Sequence, residues 1–350
     1  MDEWLQHHMV CPRDHLRLKF DGGNLVCPEQ HRYPVIDGVP VMLLDGVSQT
    51  LEVARDSLRL AAARPPDDPL FIDSLGCDKE QRDAIRKLIA TSDAGAVDPV
   101  VQFMVAATNG ILYAPLLGRL QTVPIPELRL PDGSGQTFLD IGCNWGRWSI
   151  GAARKGYNVV GIDPSLGAIM AAKRVSACLG AAARYVVADA RFLPFAPESF
   201  AVVFSYSVLQ HFSKGDAATA LSEVARVLES GGASLIQMPN ALGIRSLQHQ
   251  LRRGFRPAEG FEVRYWTLRE LKKTFQRLIG ETKLSVDGYF GLGLQAADAS
   301  MLPFKYRAVV RASELLRFIS RKIPFMCWFA DSVYLHSRSP HESAPGHSSG

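Results

Sequence analysis

Phe138-Leu139-Asp140-Ile141-Gly142-Cys143-Asn144-Trp145-Gly146-Arg147-Trp148 is the stretch whose reading decides the fold. An apolar run breaks into a turn of small residues, and a helical pattern begins at Arg147. Such a turn brings backbone close to a ligand at the carboxyl end of a sheet. Outward from it, strands are expected at Thr137–Ile141, Asn158–Ile162, Tyr185–Ala188, Ala201–Ser205 and Ala233–Met238. Helices fall between them, near Arg147–Lys155, Leu166–Leu179 and Ala217–Leu228. Apolar strands alternating with amphipathic helices imply an α/β fold with a mostly parallel sheet covered on both faces. Thr267–Leu278 adds a helix opened by a capping box, Thr267 with Glu270. Lys283–Phe290 and Ser332–Ser337 read as two late strands.

The turn excludes some ligands. A dinucleotide fingerprint wants glycines at offsets 0, 2 and 5. From Gly142 those positions hold Gly142, Asn144 and Arg147, so two of three fail. A phosphate-cradling Gly-Lys-Ser/Thr loop is also absent. The turn instead resembles the first motif of the class I S-adenosylmethionine-dependent methyltransferases: an acidic residue, then a Gly-x-Gly-x-Gly-like loop, here Asp140, Gly142, Asn144 and Gly146. Asn144 replaces the middle glycine, and Asn tolerates left-handed backbone. The resemblance covers about residues 136–240, in five blocks at proper spacing. Asp163 closes the second strand, 21 residues after Gly142, and a carboxylate there accepts from both ribose hydroxyls. It is also placed to cap a helix beside Pro164. Val187-Ala188-Asp189-Ala190 follows, then Leu193-Pro194-Phe195, then Ala201–Phe212, then Glu223–Gly232.

The resemblance implies a Rossmann-like methyltransferase fold with a seven-stranded sheet. It implies S-adenosylmethionine as cofactor, bound through Asp140, Gly142, Asn144, Gly146, Asp163, Asp189, Ala190 and Ser205. In the family the Asp189 position receives the adenine amino group, and the next backbone amide meets a ring nitrogen. Cys143 reads as a packing residue. Trp145 and Trp148 either cover the cofactor or fill the core. Methyl transfer needs chiefly alignment of an acceptor with an already activated methyl group. A hydroxyl acceptor also gains from a base, and His211, with Gln210 beside it, follows the fourth strand. Tyr265-Trp266 line an acceptor pocket or belong to the core.

The N-terminus holds a second pattern. Cys11-Pro12-Arg13-Asp14-His15 and Cys27-Pro28-Glu29-Gln30-His31 precede Tyr33-Pro34-Val35-Ile36-Asp37-Gly38-Val39-Pro40. This is similar to the small zinc-ribbon-like domain that occurs as a methyltransferase activator subunit. The resemblance implies Zn2+ on Cys11, His15, Cys27 and His31, with Asp14 as the alternative to His15. Without metal, the same small β-rich domain would rest on its core.

Length and composition set the frame. A chain of 350 residues suggests about two domains of about 150 residues each. With 47% hydrophobic and 21% charged residues it is no disordered or low-complexity chain. Expected divisions are a ribbon over 1–46, a helical linker or lid over 47–132, the methyltransferase domain over 133–339 and a disordered tail over 340–350, with disorder starting near Ser337. Within the linker, helices are expected at Ser48–Ala63, Asp78–Ala90 and Asp98–Leu120. The apolar stretch Pro99–Leu117 carries Gln102, Asn109, Gly110 and Pro115 and makes a poor membrane span. Six scattered cysteines and an acidic Met1-Asp2-Glu3 start point to a reducing cytoplasm.

Net charge of +4 does not announce nucleic acid, but the last third is uneven. Arg245–Arg277 holds nine basic and three acidic residues, and Lys305–Lys322 six and one. Solvated helix faces, an anionic acceptor, RNA or an anionic membrane surface all fit that bias. The preferred acceptor is an oxygen of a small molecule, or of a glycan or lipid-linked precursor. No Asn-Pro-Pro-Tyr-type motif follows the fourth strand, where Ser205-Tyr206-Ser207-Val208 stands. RNA-base methylation of the rRNA guanine type and a non-enzymatic cofactor-binding scaffold are the competing readings.

Overall fold

The computed structural model describes residues 2–48, 52–91, 97–108, 113, 116, 119–291 and 295–341. Residues 1–45 read as strands and turns, but the chain begins with a helix, α1 (Glu3–His8), whose N-cap Asp2 accepts from the Leu5 amide. A four-stranded antiparallel sheet follows in sequence order: β1 (Lys19–Asp21), β2 (Asn24–Val26), β3 (Arg32–Ile36) and β4 (Val39–Pro40). Three helices come next, α2 (Val53–Ala63), α3 (Lys79–Thr91) and α4 (Pro99–Thr108). The apolar α4 is packed in a core cluster, and no described helix is long and apolar enough to cross a membrane. The start of the helix expected over Ser48–Ala63, much of the Asp98–Leu120 helix and most of the expected tail lie outside the described residues.

From Thr137 the α/β alternation runs as expected. The strands are β5 (Thr137–Ile141), β6 (Asn158–Asp163), β7 (Ala183–Val187), β8 (Phe200–Ser205), β9 (Leu228–Pro239), β10 (Glu281–Gly288) and β11 (Ser332–Arg338). They form one seven-stranded sheet in the order β10-β11-β9-β8-β5-β6-β7, with only β11 antiparallel to its neighbours. Its central strands are buried along nearly their whole length, because helices cover both faces. The helices are α5 (Arg147–Arg154), α6 (Leu166–Cys178), α7 (Lys214–Val227), α8 (Ile244–Arg252), α9 (Leu268–Leu278) and α10 (Phe304–Ser320). The capping box of Thr267 and Glu270 opens α9. Ser337 and Arg338 belong to β11, so disorder does not begin at Ser337.

The N-terminal sheet is not a free module. Val41 bridges Val187 at the sheet edge, and the Met42 amide donates to the Val187 carbonyl. Met9 bridges Phe195, and the Val10 amide donates to the Pro194 carbonyl. Leu5, Met9, Cys11, Leu25, Cys27, Tyr33 and Met42 share one apolar cluster with Leu193, Phe195 and Phe200. An otherwise open edge beside β7 is thereby covered.

The helical segment closes over the next element. Ser57 Oγ donates to the Pro164 carbonyl and accepts from the Leu166 amide. Ser74 Oγ accepts from the Gly167 amide. Amides at the start of α6, which have no intrahelical partner, are met from outside the helix.

Candidate functional site

The predicted turn closes at the carboxyl end of β5. Gly142, Asn144 and Gly146 all take positive φ, at 71°, 50° and 82°. Asn144 manages this with its own side chain, whose Oδ1 accepts from the Trp145 amide at 2.8 Å. A Cβ on Gly142 would meet Val208 Cγ2 at 2.2 Å, so close backbone approach there requires glycine.

Asp163 stands at the end of β6 against this turn. Its Oδ2 accepts from the Asn144 amide at 3.1 Å and its Oδ1 from the Ser165 amide at 2.9 Å. Ser165, rather than Asp163, is the N-cap of α6. Burial pushes the Asp163 carboxyl up to about 6, and these two amides only partly oppose it. Asp140 is buried beneath the turn and accepts from Ser149 Oγ at 2.7 Å. Burial pushes Asp140 to about 7, against the Ser149 hydrogen bonds.

Other predicted residues have partners that spacing does not reveal. Asp189 is buried and pairs with Arg191: Nη2 donates to Oδ2 at 2.7 Å, Nε to Oδ1 at 3.1 Å. Arg191 also reaches Asp216 at 2.9 Å and the Ser48 carbonyl at 2.9 Å. Ala190 is buried beside it. The buried Ser205 donates to the Ile141 carbonyl at 3.0 Å, so its hydroxyl ties β8 to β5. Beyond β8, Tyr206 Oη donates to Asp287 and the Ser207 amide to Gln237 Oε1. Arg191, Asp287 and Gln237 carry no motif signal, because folding alone brings them here.

His211 ends a 3-10 turn beyond β8, at the same end of the sheet. Its Nδ1 donates to the Phe261 carbonyl at 2.8 Å, and its ring stacks on Phe261 at 3.7 Å. Nε2 is then the acceptor, facing the Gln210 amide at 3.2 Å. Burial lowers its pKa to about 4, opposed by the bond to Phe261. Trp145, Trp148 and Trp266 are buried in core clusters, so these rings fill the interior. Cys143 is buried, and burial pushes its thiol far up, as suits a packing residue.

In the N-terminal sheet, Cys11, Asp14, Cys27 and His31 place one donor atom each within 4.8 Å of one another. His31 Nδ1 lies 3.5 Å from Cys11 Sγ, 3.3 Å from Cys27 Sγ and 2.9 Å from Asp14 Oδ2. Two thiols, a carboxylate and an imidazole brought this close form a donor set of the kind that binds zinc. His15 does not join them. It sits exposed at φ 58°, closing the turn back to the Cys11 carbonyl, and Asp14 takes the inward place. Burial works to raise the Asp14 carboxyl, but hydrogen bonds from Leu16, Cys11, Cys27 and His31 hold it at about 2.

Residues 138–232 match the family model described as a methyltransferase domain. An O-methyltransferase of Aspergillus sclerotiorum is 29% identical over 203 residues, covering 51% of this chain and 74% of that protein. The ubiquinone biosynthesis O-methyltransferase of Azorhizobium caulinodans is 30% identical over 194 residues, covering 47% and 74%. Among solved structures, a methyltransferase from Methanosarcina mazei aligns at TM-score 0.46 and 19% identity, covering 62% of this chain and all of that one.

Proposed function

The chain belongs to the class I S-adenosylmethionine-dependent methyltransferases, and on that premise we propose that it methylates a hydroxyl oxygen of a small molecule or of a glycan or lipid-linked precursor. The observation that carries this reading is the carboxyl end of the sheet. There Asp163 and the strained Gly142–Gly146 turn stand near the exit of β8, with His211 beyond it. The names of the two relatives support oxygen as the acceptor atom.

S-adenosylmethionine supplies an electrophilic methyl group when bound. This chain's part is to hold and align. Asp163 offers its remaining lone pairs to ribose hydroxyls, and Gly142 lets the turn pass tightly against Val208. Asp189 is the proposed adenine contact, steadied by Arg191. His211 Nε2 is the proposed base, neutral throughout the physiological range because its proton affinity is low. A base held so low takes a proton poorly from an aliphatic alcohol and better from an acidic, phenol-like hydroxyl. The helical segment 52–91, packed where α6 begins, is proposed to lid the cofactor.

The reading is tested with methyl-labelled S-adenosylmethionine, purified protein and fractionated cell extract. Label in small-molecule, lipid or glycan fractions supports it. Label in RNA would replace it with base methylation. Cofactor binding without label in any fraction would favour a scaffold.

Arg191 joins the proposed adenine contact to the N-terminal part of the chain through the Ser48 carbonyl. Arg191→Ala is expected to weaken cofactor binding by about threefold to tenfold, since it releases a charge-assisted, two-pronged contact. Arg191→Lys should recover only part of this. Unchanged affinity in calorimetry would remove Arg191 from the site.

The four-residue cluster is proposed to hold a structural zinc ion on Cys11, Asp14, Cys27 and His31. Purified protein is expected to carry about one zinc per chain, and Cys27→Ser to lose it with a lower melting temperature. His15→Ala should keep the metal. Metal-free protein with unaltered stability in the Cys27 variant would leave the cluster as a hydrogen-bonded core.

A further inference from the structure

Two helices of the last third present apolar side chains to water, and the first of them is built inside out. In α8, Ser246 is buried and Gln250 turns inward, donating to the Ala241 and Ser246 carbonyls. Ile244, Leu247 and Leu251 make an i, i+3, i+7 stripe that faces water, with Leu251 59% exposed. In α10, Val310 and Ser313 are buried, Leu316 packs on the core and Glu314 bonds to Arg129, while on the other side Leu315 stands 60% exposed and Phe318 beside it is equally open. The 3-10 turn Pro324–Phe329 continues the pattern, with exposed Phe325 and Phe329 packed edge to face at 5.2 Å. Water-soluble helices normally turn such stripes toward the core.

These pieces adjoin. Asp331, two residues after Phe329, accepts from the Arg245 and Ser246 amides at the start of α8. The surface also lies at the active end of the sheet. α8 follows β9 from that end, and Ser332, after the 3-10 turn, pairs with Pro239. Phe261, stacked on His211, is exposed beside it. Among the described residues, Arg252, Arg321 and Lys322 border the apolar stripes and form no ion pair.

We propose that this surface docks the enzyme on an anionic phospholipid bilayer, so that the acceptor enters from the lipid phase. The inference rests on the methyltransferase reading of that end of the sheet. Outward aliphatic and aromatic side chains bordered by unpaired cations suit the boundary between headgroups and acyl chains. A second copy of the same face would set like charges together. RNA would stack on the phenylalanines but gain nothing from Ile244, Leu247, Leu251 and Leu315.

The experiment is co-sedimentation of the full chain with phosphatidylcholine vesicles, with and without phosphatidylglycerol, at low and high salt. Calorimetry with S-adenosylmethionine runs alongside. Binding to the anionic vesicles only, weakened by salt, is expected. Leu251→Ser with Phe325→Ser should weaken it by about tenfold or more while cofactor affinity stays unchanged. Cofactor binding without sedimentation on anionic vesicles at low salt overturns the docking proposal and leaves the methyltransferase reading standing. Loss of cofactor binding in the unaltered chain would strike that reading instead. A dimer in light scattering that the same substitutions dissolve would assign the surface to a second copy and overturn the proposal. RNA displaced by those substitutions would do the same.

Discussion

Asp163→Ala is expected to weaken S-adenosylmethionine binding by about tenfold or more, the loss typical of a charged acceptor with more than one hydrogen bond. The carboxylate has two duties here. It receives the Asn144 and Ser165 amides, fixing the turn against the start of α6, and it keeps lone pairs for a ligand. Asp163→Asn separates these duties, because it keeps the shape and halves the acceptor capacity. Melting curves of both variants show how much of the loss is structural. The pH dependence has a definite sign. Burial raises the free-state pKa to about 6, and a bound hydroxyl favours the ionised form. Affinity should therefore fall as pH drops below about 6 in the native chain, and Asp163→Ala should lack that decline. Equal calorimetric affinities of native protein and Asp163→Ala would refute the cofactor assignment.

His211→Ala is expected to lower turnover by about a hundredfold while cofactor affinity stays within about twofold, the split of a general base. Parallel losses in both would make His211 a structural residue. Its low pKa gives a second signature. A histidine of ordinary pKa, 6.5, would switch activity off near that value, whereas this one stays neutral down to about 4. Turnover should therefore show no histidine limb at 6.5. Stability behaves accordingly. The unfolded chain takes up a proton at His211 near 6.5 and the folded chain only near 4. His211 thus supports the fold fully above 6.5, and that support is lost as pH falls from 6.5 through 4. His211→Ala should show a shallower acid decline in melting temperature across this window.

Much of the catalytic fold is local in origin. Phe138–Ile141, Val159–Ile162 and Ala201–Ser205 are apolar runs too short for helices, each followed by a helical pattern, and they become neighbouring parallel strands. Asn144 declares its left-handed backbone by its type. Thr267 and Glu270 declare a helix start by their spacing. The inverted face of α8 was less legible. A moment of hydrophobicity marks an amphipathic helix but does not say which face meets the protein, and α8 passed as mere charge.

The sequence by itself determined the α/β order of elements, the turn at Gly142–Gly146 and the carboxylate at Asp163, because each depends on residues close in the chain. Tertiary structure alone decided four things. It put Asp14 rather than His15 beside Cys11, Cys27 and His31, because a left-handed turn at His15 throws that ring outward. It tied Asp189 to Arg191, Asp216 and the Ser48 carbonyl. It joined the N-terminal sheet to the edge strand β7 through Val41 and Met42. It turned Leu247 and Leu251 outward. Each outcome depends on groups distant in sequence competing for one place. Local propensity carries no information about such competition, and burial and hydrogen-bond satisfaction in the folded chain settle it.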